Sequence, residues 1–152
     1  MHVSRVTVNG VRANFHRSGP ELVVHPRSGI LRGSRFVTAV TSPIVFGSSY
    51  GWIYTKDGAF VGNEPNAAQT WYPCNDYPTK KASLTFRVTV PKGTSVVANG
   101  RLVSQRTRHG MSRFLWSESR PMATYLSTID IGKWKYLRGR TPAGIPEAVA
   151  IQ

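Results

Sequence analysis

Between Leu84 and Val90 the chain alternates strictly, with Leu84, Phe86, Val88 and Val90 apolar and Thr85, Arg87 and Thr89 polar. A two-residue period sends successive side chains to opposite faces of an extended backbone, so this segment predicts a half-buried strand and excludes a helix. Pro91-Lys92-Gly93 ends it, and Ser95 to Ala98, Asn99-Gly100 and Arg101 to Gln105 repeat the strand–turn–strand grammar. At the front, Val3 to Val8 runs into Asn9-Gly10, a dipeptide suited to the positive φ angles of a tight hairpin, with a return strand expected over Val11 to His16. Leu22 to His25 stops at Pro26, and Phe36 to Thr41 stops at Ser42-Pro43. Runs over 112–117, 122–131 and 133–137 bring the total to about ten strands at short spacing, the pattern of an all-β, antiparallel β-sandwich with little or no helix. The segment 47–82 breaks this rhythm with Gly, Pro, Asn, Tyr and Trp, and reads as a long ordered loop of the kind that lines binding sites.

Glycines and prolines are scattered as turn punctuation rather than pooled in a linker, so residues 1–152 read as one domain. No run of 18 apolar residues and no early leader pattern is visible, which gives no reason to invoke a membrane. The compartment stays open, cytoplasmic by default with secretion as the alternative. Cys74 is the only cysteine, which excludes an internal disulfide and a cysteine zinc cage. Twenty Lys and Arg against seven Asp and Glu give a net charge of +13, an argument about partners and solubility and not about fold.

A zinc peptidase of the His-Glu-x-x-His kind needs two histidines one helical turn apart around a glutamate, because histidines at that spacing converge on one metal and the acid activates its water. His2, His16, His25 and His109 lack it, and each reads as an ordinary surface residue. Cys74 beside an aromatic–proline pair reads as a small buried hydrophobe. No Gly-x-Ser-x-Gly elbow or phosphate-binding glycine loop is present, so nothing in the chain is self-sufficient for catalysis. Arg106, Arg108, Arg113, Lys133, Trp134, Lys135, Tyr136, Arg138 and Arg140 combine cations with aromatic rings. They fit either a solvated basic face or a binding module for nucleic acid or another acidic macromolecule.

The run from Asn63 through Glu64, Trp71-Tyr72-Pro73-Cys74-Asn75-Asp76-Tyr77-Pro78 and Lys81-Ala82 to Phe86 resembles the amino-terminal domain of aminopeptidase N family zinc peptidases. It looks closest to bacterial, actinobacterial-like members. The shared signature is an acid followed by Pro or Ala, then Pro-Cys-x-Asp-x-Pro-x-x-Lys-Ala, then a strand ending in Val-Pro-x-Gly. Val97-Ala98-Asn99-Gly100 and Pro121-Met122-Ala123-Thr124-Tyr125-Leu126 match further family motifs in order, and the resemblance covers about residue 3 to 140. It implies a saddle-like all-β domain stacked on a thermolysin-like catalytic domain that holds the zinc and a Gly-Ala-Met-Glu-Asn exopeptidase loop. Neither motif occurs in this chain, and the resemblance implies a start beyond the family's opening strands. The resemblance therefore implies a partial amino-terminal domain, without the catalytic domain and inert alone. No metal ligand, cofactor or catalytic residue is assigned to it.

By position, the resemblance makes Glu64 the acid that binds the free α-amino group of a peptide substrate. A carboxylate offsets the desolvation of an ammonium in a partly dry cleft, and gripping that end selects cleavage one residue from the terminus. Gly62 and Asn63 fall where the family shapes the pocket for the first substrate side chain, Gly62 replacing a frequent amide residue. The Glu64–Pro65 bond is expected cis on the same likeness. Asp76 and Lys81 are expected to pair or to cap the turn backbone, and Trp71, Tyr72 and Pro73 to pack the loop on the sandwich. Gln69 and Lys80 depart from the usual Arg and acid. The implied partners are a peptide amino terminus and a zinc-bearing catalytic domain in cis or in trans. An unpaired sheet edge adds the prospect of a weak homodimer.

Overall fold

The computed structural model describes residues 1–43, 50–64 and 67–151; Pro65, and with it the expected cis bond, lies outside them. In chain order the described strands are β1 (Arg5–Val8), β2 (Val11–Arg12), β3 (Asn14–Ser18), β4 (Glu21–His25), β5 (Thr38–Thr41), β6 (Gly51–Thr55) and β7 (Gly58–Gly62). A four-residue helix α1 (Ala68–Trp71) follows, then β8 (Lys81–Pro91), β9 (Ser95–Ala98), β10 (Arg101–Arg108) and β11 (Met111–Ala123). After a 3₁₀ turn at Thr124–Leu126 come β12 (Ile129–Gly132), β13 (Lys135–Arg140) and β14 (Pro146–Ile151). The strand pairs formed among them are antiparallel, in sheets ordered β2-β1-β5, β10-β11-β8 and β6-β7-β12-β9, with β3-β4 and β13-β14 as two-stranded ribbons. The fold is all-β, as the sequence pattern requires.

The alternating segment behaves as its period demands. Val90 is buried, and Phe86 and Val88 pack against a core of Trp52, Ala59, Val61, Val96, Ala98, Phe114 and Ile129. A second, smaller core gathers Val6, Val8 and Ala13. Val6 and Val96 are fully buried, each contributing about 1.5–3 kcal/mol relative to exposure. Asn9 and Gly10 take φ of 50° and 82°, closing β1 onto β2 with Val8 opposite Val11. His109 and Gly110 close β10 onto β11 in the same way, at 49° and 75°.

Three expectations need correction. The return strand over Val11 to His16 is two strands: after Arg12 the N–H of buried Ala13 bonds to the Val6 carbonyl (3.0 Å), and from Asn14 the chain changes partner to β4. The segment 47–82 is not one loop: it holds the β6–β7 hairpin, turned at Lys56-Asp57, and α1. Its crowded aromatics hid two short strands on either side of that turn. The runs 112–117 and 122–131 join differently, since β11 continues to Ala123 across a register shift between Glu118 and Met122. That irregularity breaks the two-residue period without ending the strand.

Two histidines are also not solitary. His25 Nε2 lies 3.1 Å from His16 Nδ1 across the β3–β4 ribbon, so one ring donates and the other accepts. No helix among the described residues is long and apolar enough to cross a membrane.

Candidate functional site

Strand β7 ends at Gly62, and the next two residues diverge. Asn63 is buried, 6% exposed, while Glu64 is exposed. The Asn63 amide is committed at both ends: Nδ2 donates to the Ser127 carbonyl (2.6 Å) and Oδ1 accepts from Trp71 Nε1 (3.1 Å). One side chain thus ties the end of β7 to α1 and to the loop before β12. The Tyr50 hydroxyl donates to the backbone carbonyl of Glu64, holding the rim from the other side.

These contacts frame an open cleft of about 400 Å³. Its apolar wall is Ile53, Val61, Tyr125 and Leu126, and Tyr50, Gly62, Asn63, Glu64, Ser127 and Thr128 complete it. All three residues that the resemblance singled out, Gly62, Asn63 and Glu64, line this one cleft. A methyl group placed on Gly62 would sit 3.6 Å from Ile53 Cδ1, ordinary contact, so Gly62 widens the cleft without being required by the backbone. The Glu64 carboxylate has no ion-pair partner among the described residues, and Asn63 faces inward as a support.

Behind the cleft the loop over 72–77 is pinned by polar contacts. Tyr72 donates to the Thr124 carbonyl (3.0 Å) and accepts from Ser127 Oγ (3.2 Å), and Thr124 Oγ1 donates to the Asn75 carbonyl (3.0 Å). Burial raises the Tyr72 phenol above its ordinary value and pushes the Cys74 thiol up to about 11. Cys74 is half-buried rather than buried, and its raised value favours the neutral thiol at neutral pH. One Asp76 oxygen accepts the Gln69 N–H of α1 (3.5 Å), so Asp76 ties the loop back to the helix rather than capping the turn toward Lys81, which lies exposed on β8. Trp71 stacks at a tilt on Trp52 and Tyr72, with centroids 5.8 and 4.5 Å away. Pro73 is exposed and does not share that packing. On the β12 side, burial raises the Asp130 carboxyl, partly offset by bonds from Thr128 and the Val61 backbone.

Reading the sequence by residue missed the far wall. Tyr125 to Thr128 reach the cleft only because β11 runs back across the sheet, although Pro121 to Leu126 already stood out as a motif. Among the described residues no group of three or more His, Cys, Asp or Glu is placed to hold a metal.

Fold and cleft together define an all-β framing domain: loops at one end of a sheet enclose a shallow recess with exposed Glu64 in its lining. The family model for the peptidase M1 N-terminal domain matches residues 51–126, half of the chain, and the chain belongs to that family. It is 30% identical over 152 residues to the leucyl aminopeptidase of Saccharolobus solfataricus, covering 93% of this chain and 18% of the relative. It is 28% identical over 109 residues to the glutamyl aminopeptidase of Rattus norvegicus, covering 68% of this chain and 12% of the relative. The chain thus spans less than a fifth of the length of these curated relatives. Among solved structures, the M1 zinc metallopeptidase of Deinococcus radiodurans shares its fold, with a TM-score of 0.77 at 24% identity over 91% of this chain and 33% of that one. A two-domain M1 zinc metallopeptidase bound to L-tryptophan superposes with a TM-score of 0.78 at 23% identity over 98% of this chain and 36% of that one.

Proposed function

We propose that the domain anchors the amino terminus of a peptide substrate for an aminopeptidase, with the Glu64 carboxylate receiving the α-ammonium group. The observation that carries this reading is the contrast within one dipeptide. Asn63 is locked inward by two hydrogen bonds, so Glu64 is held outward at the rim of a cleft with an apolar wall. An α-ammonium docked there meets the carboxylate, and the first substrate side chain meets Ile53, Val61, Tyr125 and Leu126, with Gly62 leaving room. Bond cleavage belongs to a separate catalytic domain, in cis or in trans, as in the two-domain relatives. A solved variant of the Deinococcus radiodurans enzyme carries a Tyr-Ser-Ala substrate, which is the ligand class this cleft suits.

A charge-assisted hydrogen bond contributes about 1.5–3 kcal/mol, or about 10- to 100-fold in affinity. Solvent at an open rim lowers that toward the smaller figure. The test joins this chain to the catalytic domain of a two-domain relative and measures turnover of aminoacyl coumarin amides. Glu64→Gln is expected to raise KM about 10-fold with a smaller change in kcat, since the anchor holds ground and transition states alike. An unchanged KM refutes the reading.

A further inference from the structure

The outer face of the β10-β11-β8 sheet carries charge that the anchoring role leaves unused. Register puts Arg106 opposite Arg113, and Arg113 opposite Thr89. On the same face, one step along, Arg108 opposes Met111; in the other direction Leu115 lies between Ser104 and Arg87, and Ser117 between Arg101 and Thr85. The register shift between Leu102 and Ser104 is what returns Arg101 to this side. Arg87, Arg101, Arg106, Arg108 and Arg113 are all exposed, while Phe86, Val88, Phe114 and Trp116 on the opposite face pack in the main core. Among the described residues of these strands no acid interrupts the array. Glu118 sits in the core-side register opposite Leu84 and accepts the Arg120 N–H (2.7 Å).

Like charges directly opposed on a ladder destabilise it. An uncompensated Arg106–Arg113 pair with Arg108 beside it is therefore a cost in the free protein that a bound polyanion would reverse. Thr89, Arg106, Arg108, Met111 and Arg113 frame a depression of about 310 Å³ at the β10–β11 turn end of this face. None of these strands contributes a residue to the Glu64 cleft.

We propose that this arginine face docks the phosphodiester backbone of double-stranded nucleic acid without reading its sequence. The cations spread over three strands rather than along a single row: by backbone spacing Arg106 lies about 4.8 Å from Arg113 across the ladder and about 6.8 Å from Arg108 along its strand, with Arg87 and Arg101 further down the same face. Guanidinium forks match phosphate oxygens in pairs, and a duplex presents one charge per about 1.7 Å of axis, dense enough to engage all five. A single strand would offer bases for stacking, and the face presents no aromatic ring to take them. An acidic protein surface or an anionic bilayer would draw on aromatic or large apolar anchors. The exposed large hydrophobic residues on these strands are only Val103 and Met111.

The test is fluorescence anisotropy with a labelled duplex of arbitrary sequence, about 20 base pairs long, between about 50 and 200 mM salt. Binding is expected at low salt, with log K falling against log salt with a slope of about −4, near −0.9 per phosphate neutralised. Arg106→Ala with Arg113→Ala should weaken binding at least about tenfold at the low-salt end and flatten the slope by about 2. Lys133→Ala with Lys135→Ala, the same charge loss off this face, should change affinity by less than about twofold. Removing the opposed cations should leave the melting temperature unchanged or raised, so a folding defect is not the expected cause of weaker binding. Three results overturn the proposal: no duplex binding at low salt; equal weakening by both double variants, which marks net charge alone; or an Arg106/Arg113 dependence found with phosphatidylserine vesicles or polyglutamate and absent with the duplex.

Discussion

Replacing Asn63 with alanine removes the side chain that ties three segments beneath the cleft. The Ser127 carbonyl, on a residue with 0% exposure, loses the donor at 2.6 Å, and Trp71 Nε1 loses its acceptor at 3.1 Å. Leaving a buried polar group unsatisfied costs about 1–3 kcal/mol. Half-buried Trp71 recovers part of its loss by bonding to water, so the two together come to about 3 kcal/mol. For a domain near 150 residues each kcal/mol moves Tm by about 2–4 °C, which gives a fall of about 6–12 °C. The measurement is urea and thermal unfolding followed by tryptophan fluorescence, with Asn63→Asp as the diagnostic companion. The introduced carboxylate would keep the acceptor for Trp71 but set an anion against the Ser127 carbonyl. Its folded-state pKa would then rise, the added stability being present below the ordinary carboxylate range and lost as pH increases. The aspartate variant should accordingly be worse than alanine at neutral pH and recover near pH ~4. A loss under about 0.5 kcal/mol for Asn63→Ala would refute the clamp, being no more than an ordinary surface substitution.

Glycine substitutions separate architecture from cleft. Gly51 has φ of +84° and an added methyl would fall 2.1 Å from Thr70 Oγ1, so Gly51→Ala should cost several kcal/mol, whereas Gly62→Ala should change Tm by under about 2 °C in the same melts. Asp130→Asn should raise Tm at neutral pH: burial lifts the folded-state pKa above the unfolded one, so the protonated form favours folding and its contribution is lost as pH rises through that value. The gain should vanish near pH ~3, where wild type is itself protonated, and a gain equal at both pH values would contradict it. Cys74, with its thiol at about 11, should react with iodoacetamide more slowly in the native than in the urea-unfolded chain at mildly alkaline pH, and equal rates would contradict its burial.

What the sequence disclosed depended on the length over which a signal repeats. The seven-residue alternation at Leu84 to Val90 named its buried face correctly, and Asn9-Gly10 named its turn, because both rest on local backbone sterics. The β6–β7 hairpin escaped notice because glycines and aromatics crowd both strands and mask their alternation. Gly58 there carries a long-range requirement that no window shows: a methyl group would fall 1.8 Å from the Ile131 carbonyl. Glu64 came from a motif, but the reason it faces outward did not. That reason is the Asn63–Ser127 bond, between residues 64 positions apart. The arginine face was half visible as a basic run, and its single-faced order emerged only with the strand register.

The central claim is that the Glu64 carboxylate recognises a free amino terminus, and the most direct measurement is an NMR titration of this chain with a tripeptide bearing a free or an acetylated amine. The free amine should shift the amides around Gly62, Asn63 and Ser127 and bind about tenfold more weakly to Glu64→Gln. Its affinity should fall as pH passes about 8 and the ammonium deprotonates. Equal binding of the free and acetylated peptides, or shifts confined to other surfaces, would contradict the account.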